Sequence, residues 1–206
     1  MVYAQAGVSL ARAAQEAARA SLSGLEFASG IPGTVGGAVV MNAGAYGGEM
    51  KDVVKWARIL DRDGEIHRLE TEELALSYRH SVVPDMGGIV LSAAFLLKPG
   101  DETLIRAQME LLRNQRVQKQ PLEYPSAGST FKRPEGYFAG KLIIDSGLAG
   151  YRVGGAQVSE KHCGFVINAG GATAADILQL ITDVQDTVQK KFGVRLEPEV
   201  KMIGEF

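Results

Sequence analysis

The distribution of glycine constrains this chain more than any other feature of its sequence. Many of its 25 glycines fall in three clusters, at residues 30–48, 147–155 and 164–171. Because glycine has no Cβ, such clusters occur where the backbone approaches a ligand or a neighbouring element closely, and also where the chain turns tightly. The glycines alone do not choose between a ligand site and a set of tight turns, so both interpretations stay open here.

Hydrophobic periodicity and turn signals predict an α+β fold. The pattern indicates helices at residues 10–20, 101–118, 138–146 and 174–192. It indicates strands at residues 2–6, 53–60, 65–69, 89–97, near 157, at 165–168 and at 194–203. These elements do not alternate in a regular strand–helix–strand order, which favours α+β over a doubly wound parallel sheet.

Local signals fix some of these elements more firmly than others. Asp63-Gly64 between two apolar runs is a strong hairpin signal. Thr173 and Asp176 form a T-x-x-D helix start, and Gly193 suits the C-terminal end of that helix. The apolar stripe predicted for it contains Ile177, Ile181, Val184, Val188 and Phe192. The face predicted for the 101–118 helix contains Leu104, Ala107, Leu111 and Asn114.

Composition excludes several classes of function. The net charge is 22 − 24 = −2, which gives neither a basic surface for nucleic acid nor one for anionic lipid. The apolar stretches are short, so we expect no membrane span, and Met1 is not followed by a signal peptide pattern. Cys163 is the single cysteine, which builds no disulfide framework and fits a reducing cytoplasm.

Common catalytic and cofactor motifs are absent from the sequence. The glycines from Gly30 to Gly37 lack the dinucleotide-binding spacing, and Gly140-Lys141 is followed by leucine rather than the hydroxyl residue of a P-loop. No serine stands in a G-x-S-x-G context. The three histidines stand at no metal-ligand spacing from one another, so we predict no metal site.

Several segments, in their order along the chain, resemble the UDP-N-acetylenolpyruvoylglucosamine reductases, the MurB family. Residues 24–47 read GLEFASGIPGTVGGAVVMNAGAYG, residues 78–81 read YRHS, and residues 125–134 read PSAGSTFKRP. AGKLI at 139–143, GGAQV at 154–158 and EPEVKMIG at 197–204 follow. The resemblance implies the C-terminal part of a PCMH-type FAD-binding domain followed by a MurB C-terminal substrate-binding domain.

The resemblance also implies a reaction and its catalytic residues. In the family, NADPH reduces FAD, and the flavin then passes a hydride to the enolpyruvyl group of a UDP-sugar. The family's catalytic arginine, serine and glutamate fall on Arg79, Ser129 and Glu199, with Glu197 as the less favoured glutamate. Taken singly, each could be an ordinary surface, turn or strand residue; their joint occurrence in three separate motifs favours the catalytic interpretation.

Binding residues follow from the same resemblance. The expected flavin contacts are Gly33, Thr34, Gly36, Gly37, Asn42 and Gly47, and helix amides near residues 34–36 would suit an anionic group. Lys141 is expected at the substrate diphosphate, and Tyr124 and Asn168 are weaker substrate-pocket candidates. Lys141 could equally be a surface lysine on an amphipathic helix, and the glycine-rich segment could be only a tightly packed turn.

Pro121 and Pro125 mark a change in composition, which we take as a domain boundary. The expected parts are a truncated FAD-binding domain at 1–120, a substrate-binding domain at 121–193, and a terminal strand at 194–206 that returns to the flavin side. The family's N-terminal FAD-binding portion is missing from the resemblance. We therefore expect weak or no FAD binding and no turnover from these residues alone, and the missing domain, as a separate chain, is a candidate partner.

Two other functions remain open. One is a non-catalytic UDP-sugar binding module that kept the substrate-binding domain. The other is an oxidase of the same broad flavin fold, which is less favoured because no histidine or cysteine that could tether flavin stands in the glycine-rich segment.

Overall fold

The chain divides into two units between Arg116 and Val117, near the boundary predicted from the prolines. The structure is a computed structural model, and it describes residues 1–204. Each unit contains helices and an antiparallel sheet, so the predicted α+β class is confirmed. Residues 194–204, expected as a separate terminal piece, belong to the second unit.

The first unit contains eight strands and two complete helices, followed by a third helix that runs across the boundary. In chain order these are β1 (Val2–Gln5), α1 (Leu10–Arg19), β2 (Leu22–Ser23), α2 (Val35–Val40), β3 (Gly44–Ala45), β4 (Gly48–Glu49), β5 (Val54–Leu60), β6 (Ile66–Glu70), β7 (Ile89–Phe95), β8 (Lys98–Pro99) and α3 (Glu102–Lys119). Short 3₁₀ turns occur at Glu26–Ala28 and Met50–Asp52.

The core of the first unit lies between helices and a four-stranded sheet. The sheet has the order β1-β7-β5-β6, and each neighbouring pair is antiparallel. The predicted hairpin joins β5 to β6, and Gly64 takes the positive φ of 86° that its turn requires. Side chains of α1 and α2, including Leu10, Ala14 and Val39, are buried in the same apolar cluster as Ala57 and Ala93 of the sheet.

The only tryptophan of the chain lies in β5 of this sheet. The Trp56 ring lies 5.7 Å from the Tyr3 ring, centre to centre. The guanidinium carbon of Arg68 lies 4.6 Å from the centre of the Trp56 ring, within the range of a cation–π interaction. Tyr3 is largely exposed. The indole is thus contacted by an aromatic ring and by a cation.

The buried face of α3 differs from the predicted one. Leu104 and Leu111 are exposed, with 70% and 51% of their surfaces accessible. Ile105 and Leu112 are buried, and Met109 packs against the core of the first unit. The buried stripe of the helix therefore lies one position later in the sequence than the predicted stripe.

The second unit contains a second four-stranded sheet with two helices. Its elements are β9 (Ser126–Ser129), α4 (Ala139–Asp145), β10 (Arg152–Val153), β11 (Ala156–Val158), β12 (Phe165–Asn168) and α5 (Ala174–Phe192). The sheet order is β10-β11-β12-β9, antiparallel throughout. Its core is a second apolar cluster, which includes Ile143 of α4, Val158 of β11 and Val184 of α5.

Helix α5 begins and ends at the residues that the sequence predicts. The Thr173 hydroxyl accepts the N–H of Asp176, and the Asp176 carboxylate accepts the N–H of Thr173, which completes a capping box. The hydrogen bonds from Thr173 hold the pKa of Asp176 below its ordinary value. Gly193 ends the helix in a left-handed conformation with φ of 70°.

The terminal segment does not form the predicted strand at 194–203. Within the described residues it makes one isolated bridge, between Phe131 and Pro198. Two backbone hydrogen bonds of 2.8 Å flank the bridge, from Lys132 N to the Glu197 oxygen and from Glu199 N to the Thr130 oxygen. Proline has no N–H to donate at position 198, and the pairing does not extend into a ladder. The return of this segment to the flavin side stays a prediction.

None of the helices within residues 1–204 is long and apolar enough to cross a membrane. Among the same residues, no group of three or more His, Cys, Asp and Glu side chains is arranged to hold a metal ion.

Candidate active site

Arg79 lies in the turn of a short hairpin in the first unit. Ser77 and His80 exchange two backbone hydrogen bonds of 3.1 Å, which leaves Tyr78 and Arg79 between them. Arg79 has φ of 56°, a left-handed conformation that a bulky residue adopts only when its surroundings hold it there. Its guanidinium carbon lies 5.1 Å from the centre of the Tyr78 ring. The hairpin thus presents the guanidinium from a constrained position.

Ser129 ends β9 in the second unit, opposite Phe165 of β12. Its hydroxyl lies 3.5 Å from the Phe131 carbonyl oxygen, at the long limit of a hydrogen bond. Gly164 lies beside it: a Cβ built on Gly164 would be 3.7 Å from the Ser129 oxygen. The same Cβ would be only 2.9 Å from the His162 ring, so the glycine accommodates this imidazole beside the strand. The hydrogen bond of the Ser129 hydroxyl is long and therefore weak.

Glu199 is brought close to Ser129 through the intervening residue. The backbone N–H of Glu199 donates to the carbonyl of Thr130, the residue that follows Ser129, at 2.8 Å. Glu197, the other candidate, is exposed, and its carboxylate pairs with the Lys132 ammonium. Glu199 is the less exposed of the two, and its backbone pairs with the residue next to Ser129, so Glu199 stays the candidate acidic residue.

Three of the predicted flavin contacts present open backbone. A Cβ built on Gly33 or Gly47 would meet no atom within 4 Å, and both residues have positive φ values, of 136° and 86°. Gly37 is exposed, and the nearest atom to its Cβ position is the Thr34 hydroxyl oxygen at 3.6 Å. Thr34 is exposed at the start of α2. A planar ring could approach the backbone at these glycines, so this part of the segment fits a flavin.

Two other predicted flavin contacts have structural roles instead. Gly36 is buried, and a Cβ there would lie 2.9 Å from the Ala6 Cβ, so this glycine permits close packing of α2 against the chain after β1. The Asn42 side chain is 1% exposed, and its amide is fully engaged in hydrogen bonds within the protein. Because neither residue is accessible, their burial does not support a cofactor contact, which stays a prediction.

The helix amides expected to bind an anion are also engaged. The N–H groups of Val35 and Gly36 donate to the carbonyls of Val8 and Ala6, both at 2.9 Å. The N–H of Gly37 donates to the Thr34 hydroxyl at 3.3 Å. These three amides already have partners within the protein and do not support the anion site, which stays a prediction.

Two of the predicted substrate residues lie near each other in the second unit, because the Asn168 N–H donates to the carbonyl of Pro125, the residue after Tyr124, at 2.9 Å. Lys141 is exposed on α4 and pairs with Asp145 at 2.8 Å. Tyr124 is partly exposed, ahead of β9. Asn168, at the end of β12, accepts the N–H groups of Gly170 and Ala172 and lines a largely apolar cavity of about 310 Å³. Ser126 and Ile181 also line this cavity.

Sequence reasoning missed Thr130 and Ser81. Thr130 is buried beside Ser129, and its hydroxyl accepts the N–H of Val166 at 2.9 Å. Ser81 is fully buried and donates its hydroxyl to the Val40 carbonyl at 2.8 Å. Both lie within the motifs that carry the resemblance, but short polar residues in a loop give no sign in the sequence of whether they are buried.

Comparison with known proteins bears on both units. The profile of the "UDP-N-acetylenolpyruvoylglucosamine reductase, C-terminal domain" matches residues 120–203, and the profile of an "FAD binding domain" matches residues 1–70. The UDP-N-acetylenolpyruvoylglucosamine reductase of Limosilactobacillus fermentum is 59% identical over 204 residues, which cover 99% of this chain and 68% of that protein. The chain belongs to the MurB reductase family.

Further relatives support this membership. The MurB reductase of Agathobacter rectalis is 69% identical over all 206 residues, and that of Lachnoclostridium phytofermentans is 62% identical over 205 residues. This chain spans 66% of the length of each. The crystal structure of the MurB reductase from Thermus caldophilus superposes with a TM-score of 0.84 at 41% identity, over 96% of this chain and 71% of that one.

Proposed function

We propose that this chain serves the reduction of UDP-N-acetylglucosamine enolpyruvate to UDP-N-acetylmuramate in peptidoglycan synthesis, with FAD as hydride carrier and NADPH as reductant. Family membership supports the reaction, and the match of residues 1–70 to an FAD binding domain supports the cofactor. The observation that carries the proposal is the backbone pairing that places Glu199 beside the Ser129–Thr130 segment, within the residues that match the reductase C-terminal domain.

Reduced FAD, when bound, supplies a hydride to the methylene carbon of the enolpyruvyl group. The open backbone at Gly33, Gly37 and Gly47 would hold the flavin by close approach. We assign the other requirements of the reaction to side chains of this chain. They are a cation that binds the substrate carboxylate, a donor that protonates the neighbouring carbon, and an acidic residue that polarises the carboxylate.

Arg79 is the proposed partner of the substrate carboxylate. Addition of hydride to the methylene carbon moves an electron pair toward the α-carbon and its carboxylate, so negative charge grows there. A guanidinium binds a carboxylate with two parallel hydrogen bonds and stabilises this growing charge, provided that it is held in place beforehand. The constrained hairpin of Ser77 and His80 supplies that preorganisation.

Ser129 is the proposed proton donor to the α-carbon. Its hydroxyl has only a long contact with the Phe131 carbonyl, so little energy is needed to turn it toward substrate. The O–H bond of Ser129 breaks as the new C–H bond forms, and the alkoxide regains a proton from water. An alcohol can act in this way only toward a strongly basic carbanion, which is what addition of hydride creates.

Glu199 is the proposed acidic residue that polarises the same carboxylate. Two ionised carboxylates in contact repel each other, so the pair formed by Glu199 and the substrate carboxylate would share one proton. For the rest of the substrate, Lys141 is the proposed diphosphate ligand, with Tyr124 and Asn168 as weaker pocket candidates. The exposed pair of Lys141 with Asp145 would have to open, which costs less than about 1 kcal/mol for a surface ion pair.

The test measures binding and turnover in the 206-residue chain. UDP-N-acetylglucosamine and FAD are titrated separately by calorimetry, and NADPH oxidation is followed with and without the enolpyruvyl sugar. We expect UDP-sugar binding, weak or no FAD binding and no turnover from this chain alone. We expect sugar-dependent oxidation once FAD and the part of the Agathobacter rectalis reductase that this chain does not cover are supplied, the latter as a separate chain. Removal of the proton donor in Ser129→Ala should lower the rate by about 10²–10⁴-fold. Thr182→Val, which removes an exposed hydroxyl on α5, is the matched control and should retain the rate.

The other outcomes are equally decisive. Binding of the UDP-sugar without any turnover, even when FAD and the remaining part of the relative are supplied, would favour a non-catalytic binding module over a reductase. An unchanged rate in Ser129→Ala would remove the serine from the mechanism. No binding of either ligand would overturn the proposal for this chain.

A further inference from the structure

The end of α2 is hydrogen-bonded to the hairpin that carries Arg79. The Asn42 side-chain amide donates to the Ser77 carbonyl and to the Glu49 carboxylate, both at 3.0 Å, and its oxygen accepts the N–H of Lys51 at 2.9 Å. One buried side chain therefore joins the end of α2, the turn after β4, and the first residue of the hairpin. Both N–H bonds of the Asn42 amide and its oxygen are therefore engaged in hydrogen bonds.

A second hydrogen bond holds the other side of the hairpin. Ser81 follows His80 directly, is fully buried, and donates its hydroxyl to the carbonyl of Val40, the last residue of α2. The hairpin is thus hydrogen-bonded on both sides: Ser81 to Val40 at the end of α2, and Ser77 to Asn42 two residues later. Because a buried polar group left without a partner is destabilising, each of these hydrogen bonds resists opening.

We propose that Asn42 and Ser81 are positioning residues for Arg79, which fix its guanidinium for a substrate carboxylate through hydrogen bonds to the hairpin backbone. The proposal rests on the function assigned to Arg79 above. Gly33 precedes α2 and Gly37 lies within it, so the proposed flavin contacts and the hairpin of Arg79 are linked to the same short helix.

Position 42 requires asparagine for two reasons. Its backbone has φ of 42°, in the left-handed region that asparagine and aspartate tolerate better than other residues with a side chain. Its side chain must also donate to two oxygens and accept from one N–H. Aspartate would satisfy the backbone and Lys51, but it would place an acceptor against the Ser77 carbonyl and the Glu49 carboxylate. Asn42→Asp therefore breaks the tie to the hairpin while it keeps the shape and the backbone conformation.

The first experiment measures amide hydrogen exchange in the 206-residue chain. In Asn42→Asp we expect exchange at the Ser77 and His80 amides to be accelerated, since these amides depend on the hairpin. Thr71→Val is the matched control: the Thr71 hydroxyl donates to the Val54 carbonyl at 2.5 Å, elsewhere in the first unit. The control should destabilise the unit without a selective change at Ser77 and His80.

The second experiment measures what the carboxylate adds to affinity. The ratio of the dissociation constants of UDP-N-acetylglucosamine and its enolpyruvyl derivative reports the contribution of the carboxylate. Displacement of a binding group by about 1 Å costs up to roughly 10²-fold, so Asn42→Asp should lower this ratio by about 10–100-fold. Asn42→Asp should leave the affinity for UDP-N-acetylglucosamine itself unchanged. Thr71→Val should change neither this affinity nor the ratio.

The two measurements separate failure of this proposal from failure of the proposed function. Unchanged exchange at Ser77 and His80 in Asn42→Asp would overturn the positioning role. Accelerated exchange with no carboxylate contribution even in the unmodified chain would overturn the role of Arg79 and leave the hairpin ties intact as structure. If Asn42→Asp does not fold, Ser81→Ala removes the other tie and is judged by the same two outcomes.

Discussion

At the scale of single residues, Thr130 holds together the part of the second unit that carries Ser129 and Glu199. Its N–H donates to the Gly164 carbonyl, its hydroxyl accepts the N–H of Val166, and its carbonyl accepts the N–H of Glu199, at 2.8–2.9 Å. The residue is buried, so none of these groups can turn to water instead. Its neighbours in sequence and space are thereby fixed relative to one another.

Replacement of Thr130 by valine should destabilise the second unit. Valine keeps the shape but cannot accept the Val166 N–H, and a buried donor left without a partner costs about 1–3 kcal/mol. Thr130→Ser retains the hydroxyl and should lose less stability. Urea unfolding followed by circular dichroism measures both. Equal stability of the valine and serine variants would show that the hydroxyl contributes nothing.

His162 should make the second unit sensitive to acid. Its Nδ1 accepts the N–H of Gly164 at 3.1 Å, and its ring packs edge-on against Phe165. Burial lowers the pKa of His162 from its ordinary 6.5. A lowered folded-state pKa means that the contribution to stability is complete above pH 6.5 and is lost as the pH falls through the folded value.

We therefore expect the unfolding midpoint of the second unit to decrease as the pH is lowered below about 6.5. The His162→Asn variant keeps an acceptor for Gly164 but does not titrate, so it should show a smaller decrease over the same range. An NMR titration of the imidazole gives the folded pKa directly. A value above that of an unfolded peptide would contradict the expected sign.

At the scale of elements, α5 shows which residues of an amphipathic helix carry its stability. Leu180, Ile181, Val184 and Val188 are buried, whereas Phe192, which continues the same spacing, is 37% exposed. Leu180→Ala should cost about 2–5 kcal/mol, because it leaves a cavity in the core. Phe192→Ala is the control on the same helix and should cost clearly less. Thermal unfolding compares them, and a larger loss in Phe192→Ala would contradict the assignment.

Elements were predictable where local chemistry decides and less so where packing decides. The start of α5 follows from Thr173 and Asp176, which satisfy each other's backbone, and the hairpin of β5 and β6 follows from Asp63-Gly64. In α3 two stripes with helical spacing compete, one containing Leu104 and Leu111 and one containing Ile105, Met109 and Leu112. Only the position of the core selects the second stripe.

The candidate site shows the same division. The motifs indicated Arg79, Ser129 and Glu199, and the choice of Glu199 over Glu197 stays a prediction. The motifs could not reveal that Asn42 faces inward, because a glycine-rich segment that approaches a ligand and one that holds a loop have the same composition. Burial, which depends on distant parts of the chain, distinguishes them.

At the scale of the whole molecule, each unit has its own apolar cluster, so we expect the second unit to fold by itself. Residues 117–206 contain a complete sheet and the helices α4 and α5. A chain of this size can bury enough surface to be stable without disulfides. The isolated segment should unfold cooperatively in urea and give a dispersed NMR spectrum. A spectrum typical of an unfolded chain would show that it depends on the first unit.

The contacts of Trp56 with Tyr3 and Arg68 allow the first unit to be followed separately by tryptophan fluorescence. Because Trp56 is the only indole in the chain, emission excited at the red edge of the aromatic band originates from this unit alone. Loss of the contacts with the neighbouring ring and cation on denaturation will change the wavelength and the quantum yield of that emission. A single natural fluorophore thus allows the melting of one half of the protein to be timed against far-ultraviolet signals that average over both.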